Sequence, residues 1–312
     1  MTAFAFVFPG QGSQSVGMLD AWGDHPAVLQ TLEESSSALG EDMGKLIHEG
    51  PKEVLDLTTN TQPVMLTAAV ACYRAWRAEG GAEPAAVAGH SLGEYSALVA
   101  AGALSLADAL PLVRFRAQAM QQAVPVGAGA MAAILGLDAA QVQEGCAAVA
   151  AASGEVVEPA NFNDPKQTVI AGSKAGVDQA CEKLKAMGAK RALLLAVSAP
   201  FHSSLMKPAA DALRDKLAGV VIHAPRIPVV NNIDVAVQTE PDAIRDALFR
   251  QAFGPVRWVE VTQALRARGL LNIFECGPGK VLSGLVKRID GEIKSTTVLD
   301  PASLAQAKEM LS

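Results

Sequence analysis

An α/β fold, with a smaller domain inserted into a larger one, is what the order of apolar segments predicts. Short apolar strands alternate with helices before about residue 125 and again after 200, the pattern of a parallel sheet covered by helices. Between about 128 and 197 the order changes to strand–helix–strand–strand–helix–strand, the ferredoxin-like arrangement. With 50% of its 312 residues hydrophobic, the chain can bury a substantial core.

The opening "MTAFAFVF" reads as a buried strand over about 4–8; it has neither a basic segment before the apolar run nor a small-residue cleavage site after it, so no signal peptide is expected. Helices follow from about 26 to 79, then a strand over 85–89 and helices near 92–103 and 105–122. In the middle part, "GAMAAILGL", "GEVVEPANF", "QTVIAGS" and "AKRALLLAV" read as strands, and "DAAQVQEGCAAVAA" and "KAGVDQACEKLKAMG" as helices. Asp138 with Gln141, and Ser173, suit the starts of those helices, and Gly188 the stop of the second. After 200 come "PVVNN", a helical region over 240–268, "LLNIFECGPG", a last strand near 295–299 and a terminal helix. The expected division is a discontinuous large domain, 1–125 and 198–312, around a small one, 126–197. A cleft between the two is the expected place for a site.

A net charge of −6 argues against nucleic acid as the main partner, because phosphate backbones are bound by a local surplus of lysine and arginine. Apolar stretches are broken by polar residues well before the ~18 that a membrane span requires. Cys72, Cys146, Cys181 and Cys276 lie far apart, without the spacing of a zinc site or a disulfide framework, and read as buried thiols in a reducing compartment. A cytoplasmic monomer is the expectation.

Gly89-His90-Ser91-Leu92-Gly93 has the G-x-S-x-G form of a nucleophile elbow. "AAVAG" before it reads as a strand and "LGEYSALVAAG" after it as a helix, so Ser91 falls at a helix N-terminus, where peptide dipoles favour developing negative charge. Serine is also a favoured helix cap, and the two roles are compatible. A serine hydroxyl needs a base within hydrogen-bond reach. Of the five histidines, His25, His48 and His223 read as surface or packing positions, and His90, next to Ser91 on a sharp turn, points elsewhere. His202 follows an apolar strand and opens a helix at the return from the inserted domain, which makes it the best candidate. The oxyanion hole calls for the N–H of Leu92 and one from an early loop, and "FPGQGSQ" supplies a loop whose Gly10 and Gly12 let the backbone around Gln11 approach a substrate. A phosphate-binding loop is the rival, but Ser15 stands where G-x-G-x-x-G needs glycine. In "SLADALPLVRFRAQAM", helical spacing puts Ala109, Val113, Arg116 and Met120 on one face and Arg114 on the other. An arginine on an apolar face requires an anion, from the protein or from a substrate; Pro111, expected to kink the helix, clouds the face assignment.

Taken together, "FPGQGSQ", "TQP" at 61–63, "GHSLGEYSAL", "VRFRAQAM", "NFNDP", the "FHS" around His202, "PVVNN" and "ECGPGKVL" closely resemble the malonyl-CoA:acyl carrier protein transacylases over nearly the whole chain. The resemblance implies an α/β-hydrolase-like large domain with an inserted ferredoxin-like small domain. It also implies Ser91 as the acylated nucleophile, His202 as the base, Arg116 as the clamp for the malonyl carboxylate, and Gln11 and Leu92 as oxyanion donors. Gln251 matches the position whose backbone carbonyl orients the histidine, in place of a triad acid; Gln62 and Asn161 match pocket residues, with a turn or cap role equally open for Asn161. Phe201 stands where some members have a small residue, as in malonyl-selective relatives, where bulk there disfavours a branched substrate. Malonyl-CoA is then a substrate, no cofactor is required, and acyl carrier protein is the acceptor. Since that carrier is typically acidic, Lys190-Arg191 and Lys287-Arg288 are candidate docking clusters, the alternative being ordinary solvated surface. Two rival functions share the elbow: a serine esterase or thioesterase with water as acceptor, and a non-catalytic carrier-protein scaffold.

Overall fold

The computed structural model describes residues 2–312. Its first part holds β1 (Ala5–Phe8), α1 (Pro26–Leu39), α2 (Met43–Glu49), α3 (Lys52–Leu55), α4 (Thr58–Ala78), β2 (Ala86–Gly89), α5 (Gly93–Ala100) and α6 (Leu106–Gln122). The middle part holds β3 (Gly129–Leu135), α7 (Ala139–Ser153), β4 (Val157–Asp164), β5 (Gln167–Ser173), α8 (Lys174–Ala186) and β6 (Arg191–Leu194). The last part holds α9 (Lys207–Ala218), β7 (Val229–Val230), α10 (Pro241–Phe253), α11 (Trp258–Ala267), β8 (Ile273–Cys276), α12 (Val281–Ile289), β9 (Thr297–Val298) and α13 (Pro301–Leu311).

Strands from the first and last parts form one parallel sheet in the order β7-β2-β1-β8-β9. β1 shows why it is buried on both faces: Phe4, Phe6 and Phe8 alternate onto one side, where Phe6 meets Trp76 of α4 edge-on at 5.3 Å, while Ala5 and Val7 face a cluster around Trp258 and Val261 of α11. The middle part forms a separate antiparallel sheet, β4-β5-β3-β6, with α7 and α8 on one face, where their Val142 and Val177 share a core with Ala132 and Ile134 of β3. Its other face carries Met131, Ala133, Val169 and Ala171 and packs against Val197 and Phe201. β4 also pairs with the segment before α11, through Val256 N–H to the Ala160 carbonyl and Phe162 N–H to the Val256 carbonyl, 2.9 Å each.

The local signals are placed as expected. Asp138 and Gln141 form a reciprocal capping box on α7, Ser173 caps α8, and Gly188 follows its end with φ 103°. All four cysteines are free and buried. Boundaries shift where tertiary geometry intervenes: the 26–79 region is four helices, 240–268 is broken at Gly254-Pro255, and the strand expected over 189–197 is regular only from Arg191 to Leu194. Pro111 lies inside an uninterrupted α6 and leaves the face intact, for Ala109, Val113, Arg116 and Met120 are all buried. Among the described residues, no helix is long and apolar enough to cross a membrane.

Candidate active site

The turn from β2 into α5 brings backbone against backbone, and glycine is required on both sides of it. A Cβ on Gly89 would lie 1.9 Å from the Gly93 carbonyl, and one on Gly93 would lie 2.0 Å from the carbonyl oxygen of Phe8. Between them Ser91 adopts φ 52°, a left-handed conformation that costs a non-glycine residue about 1–3 kcal/mol and needs surrounding contacts to hold it. Leu92, not Ser91, occupies the cap position of α5, and no side chain caps that helix end. The capping role that was the alternative for Ser91 is not taken up: its hydroxyl is engaged elsewhere.

Ser91 Oγ lies 2.7 Å from His202 Nε2 and 3.2 Å from a terminal nitrogen of Arg116. His202, itself at φ 61°, donates from Nδ1 to the main-chain carbonyls of Gln251 at 3.0 Å and Gly254 at 3.1 Å, so Nε2 is left as the acceptor facing the hydroxyl. Burial, and secondarily the positive charge of Arg116, push the imidazole down to about 3, so it stays neutral at ordinary pH and competent as a base. Among the described residues no carboxylate takes part in orienting it. His90 is spoken for: its Nε2 meets Asn163 Oδ1 at 2.9 Å.

Arg116 is only 2% exposed. Its other terminal nitrogen donates to Gln62 Oε1 at 2.8 Å, and the one near Ser91 also donates to Gln251 Oε1 at 3.1 Å; Tyr95 lies under the guanidinium, 5.5 Å from its ring centroid. These partners are neutral. Among the described residues no carboxylate pairs with Arg116 directly, whereas Arg114, on the opposite face, forms a two-pronged pair with Glu41 at 2.8 Å. The protein carboxylate that was one reading for Arg116 is found instead at Arg114, two positions away.

Ser91, His202, Arg116, Gln62 and His90 line a cleft of about 140 Å³ between the two sheets, with Gln11, Leu92, Asn161, Leu195, Val197 and Phe201 also on its walls. Among the described residues neither the Gln11 nor the Leu92 main-chain N–H has a hydrogen-bond acceptor, and both border the cleft beside Ser91. The Gln11 side chain is anchored through Thr58 Oγ1 at 3.2 Å. Asn161 lies within β4, not in a turn or a cap, and contributes to the cleft wall. Of the four candidate docking residues, Lys190 and Arg191 are exposed at the start of β6, the unpaired edge that runs toward Leu195 at the cleft. Lys287 is exposed, and Arg288 is tied to Asp164 at 2.7 Å.

Three residues escaped the sequence reading: Glu94, Asn232 and Gly254. Asn232 Oδ1 accepts the Ser91 N–H at 2.8 Å, Glu94 accepts from Asn232 and Gln251, and Gly254 shares the histidine proton. Burial pushes the Glu94 carboxyl up to about 7. The available signal was an acidic residue inside the apolar "LGEYSALVAAG" helix, and the paired asparagines of "PVVNN".

The family model described as acyl transferase domain matches residues 5–298. The malonyl CoA-acyl carrier protein transacylase of Escherichia coli strain K12 is 53% identical over 311 residues, covering 99% of this chain and 100% of its own, and that of Bacillus subtilis is 46% identical over 100% of this chain and 98% of its own. Among solved structures, an acyl-carrier-protein S-malonyltransferase from Burkholderia pseudomallei matches with a TM-score of 0.97 at 66% identity, covering 99% of this chain and 100% of that one. A malonyl-transacylase in complex with its type II PKS acyl-carrier protein matches equally, TM-score 0.97 at 49% identity, over 99% of this chain and 100% of that one. The chain belongs to the acyl transferase family, among the malonyl-CoA–acyl carrier protein transacylases.

Proposed function

We propose that this chain moves the malonyl group of malonyl-CoA to the phosphopantetheine thiol of acyl carrier protein, through a malonyl ester on Ser91, and so supplies fatty acid biosynthesis. The observation that carries the reading is Arg116: a buried guanidinium with only neutral partners, 3.2 Å from the nucleophile's oxygen, asks for an acyl group that brings its own carboxylate.

Ser91 Oγ attacks the thioester carbonyl as its proton passes to His202 Nε2, and the main-chain N–H groups of Gln11 and Leu92 receive the developing oxyanion. The C–S bond breaks, and the imidazolium protonates the departing coenzyme A sulfur. The carrier thiol then gives its proton to His202 and attacks the ester; the C–Oγ bond breaks and the proton returns to Ser91. The imidazolium, transient in both halves, is steadied by the Gln251 and Gly254 carbonyls on Nδ1. This route calls on no metal or bound cofactor.

In architectural terms the reading is an α/β-hydrolase-like domain, 1–125 and 198–312, with a ferredoxin-like domain, 126–197, closing over Ser91; the sheet order and the β4–Val256 contacts support it. Carrier docking is assigned to Lys190 and Arg191, with Lys287 and Arg288 as a second cluster in which Arg288 is partly committed to Asp164. The reading includes a cytoplasmic monomer without membrane partners; the acidic balance of −6 speaks against nucleic acid as a partner, and the four free, buried thiols fit a reducing compartment.

Intact-mass analysis after mixing with malonyl-CoA tests the proposal. The chain gains one malonyl group, Ser91→Ala gains none, and addition of acyl carrier protein discharges the ester onto the carrier. Release of free malonate as the main product would replace transfer by hydrolysis.

A further inference from the structure

Both peptide groups of Ser91 are held by amide side chains from remote segments. Asn232 Oδ1 accepts the Ser91 N–H at 2.8 Å, while its Nδ2 donates to the Gly89 carbonyl at 2.7 Å. Gln251 Nε2 donates to the Ser91 carbonyl at 3.0 Å. A single oxygen joins these two clamps: Glu94 Oε2 accepts the main-chain N–H of Asn232 at 2.9 Å and the second hydrogen of Gln251 Nε2 at 3.1 Å. Glu94 itself is 2% exposed and is not on the cleft wall.

We infer that Glu94 is a positioning residue for acyl transfer, the acceptor that locks Asn232 and Gln251 together so that Ser91 stays in its left-handed conformation and the Gln251 carbonyl stays under His202. The inference rests on Ser91 being the acylated residue. Its geometry is over-determined by chemistry: Arg116 can only donate and the Ser91 carbonyl can only accept, so Gln251 must turn Oε1 to the former and Nε2 to the latter, leaving one Nε2 hydrogen for Glu94. Removing the acceptor strands two buried N–H donors, one on each clamp. The strained turn then loses the link that holds its two sides in register. Both bonds fall on Oε2, so what matters is an acceptor oxygen at that place; a proton on the other oxygen leaves them intact.

The test is the single-turnover rate of malonyl-Ser91 formation in the full chain, measured by rapid quench across malonyl-CoA concentrations for wild type, Glu94→Gln, Glu94→Ala and Glu94→Met. The alanine and methionine variants are expected to lose about 100-fold in the maximal rate, with the half-saturating concentration changed less than about threefold, because misplacement of a nucleophile acts on the reacting geometry. Glu94→Gln, whose amide oxygen can accept the same two N–H groups, is expected to stay within about threefold of wild type. Glu94→Met fills the space without a comparable acceptor, and so keeps the test decisive if the alanine variant does not fold. Full rates in the methionine variant, a glutamine variant as slow as the methionine one, or a loss confined to the half-saturating concentration would each overturn the inference. Failure of the wild type to form the adduct would instead sink the transfer reading, a separate outcome.

Discussion

The two walls of the cleft follow opposite plans. On the side of the parallel sheet, Gln62, Ser91, Arg116 and His202 are cross-linked by hydrogen bonds of 2.7–3.2 Å, each group fixed by partners that are themselves buried. The facing wall, from the antiparallel sheet, offers Met131, Leu195 and Val197, with Asn161 as its polar exception, and ends in an edge strand whose Leu193 and Leu194 are 47% and 60% exposed. On the polar wall the serine hydroxyl, the imidazole and both terminal nitrogens of Arg116 each have a partner that sets their place. Where a thioester arm must enter and leave, apolar surface supplies contact without a commitment to one pose.

The sharpest way to break this contrast is to unpin the polar wall at its charge. Arg116→Ala is expected to lower kcat/KM for malonyl-CoA about 100-fold while acetyl transfer rises or holds, because the substrate carboxylate then enters a buried site without its cation. An unchanged malonyl-to-acetyl ratio in competition assays would mean that selectivity lies on the apolar wall.

A second comparison is available through pH. Because His202 is held far below its ordinary value of 6.5, kcat/KM for malonyl-CoA is expected to stay level between pH 8 and pH 5, where a free imidazole would already impose a fall. The same shift bears on stability. The unfolded chain takes up this proton before the folded one does, so the contribution of neutral His202 is present above about 6.5 and is lost as pH falls toward 3. A pH–rate midpoint near 6.5 would show that the polar wall does not desolvate its base.

The smallest effect belongs to the outer rim. Reversing charge with Lys190→Glu and Arg191→Glu is expected to raise the KM for acyl carrier protein about 3-fold to 10-fold, more at low salt, with the KM for malonyl-CoA unaltered. Equal transfer across salt concentrations would move docking away from β6.

Sequence reading reached what local chemistry writes into local sequence. The capping box at Asp138 and Gln141, the flanking glycines of Ser91 and the face of Arg116 are matters of three or four residues' spacing. His202 could be picked because it opens a helix at the return between domains. Glu94 and Asn232 could not, since their partnership spans 138 residues and that of Glu94 with Gln251 spans 157, and no spacing rule reaches so far. Whether Ser91 also caps its helix is not legible locally for another reason: a serine hydroxyl can serve a helix end or pair with a base, and only the three-dimensional neighbour decides.

That long reach has a consequence for the chain as it is made. The nucleophile and the arginine leave the ribosome early, but the base comes 111 residues after Ser91, and the amide that holds the Ser91 carbonyl 160 residues after it. A polypeptide ending before Gln251 therefore lacks both the amide that holds the Ser91 carbonyl and a main-chain carbonyl that orients His202, and on the proposed mechanism it is idle toward the thioester. On that mechanism acylation waits until both halves of the interrupted sheet have met, so the malonyl adduct would report completed folding as much as catalysis.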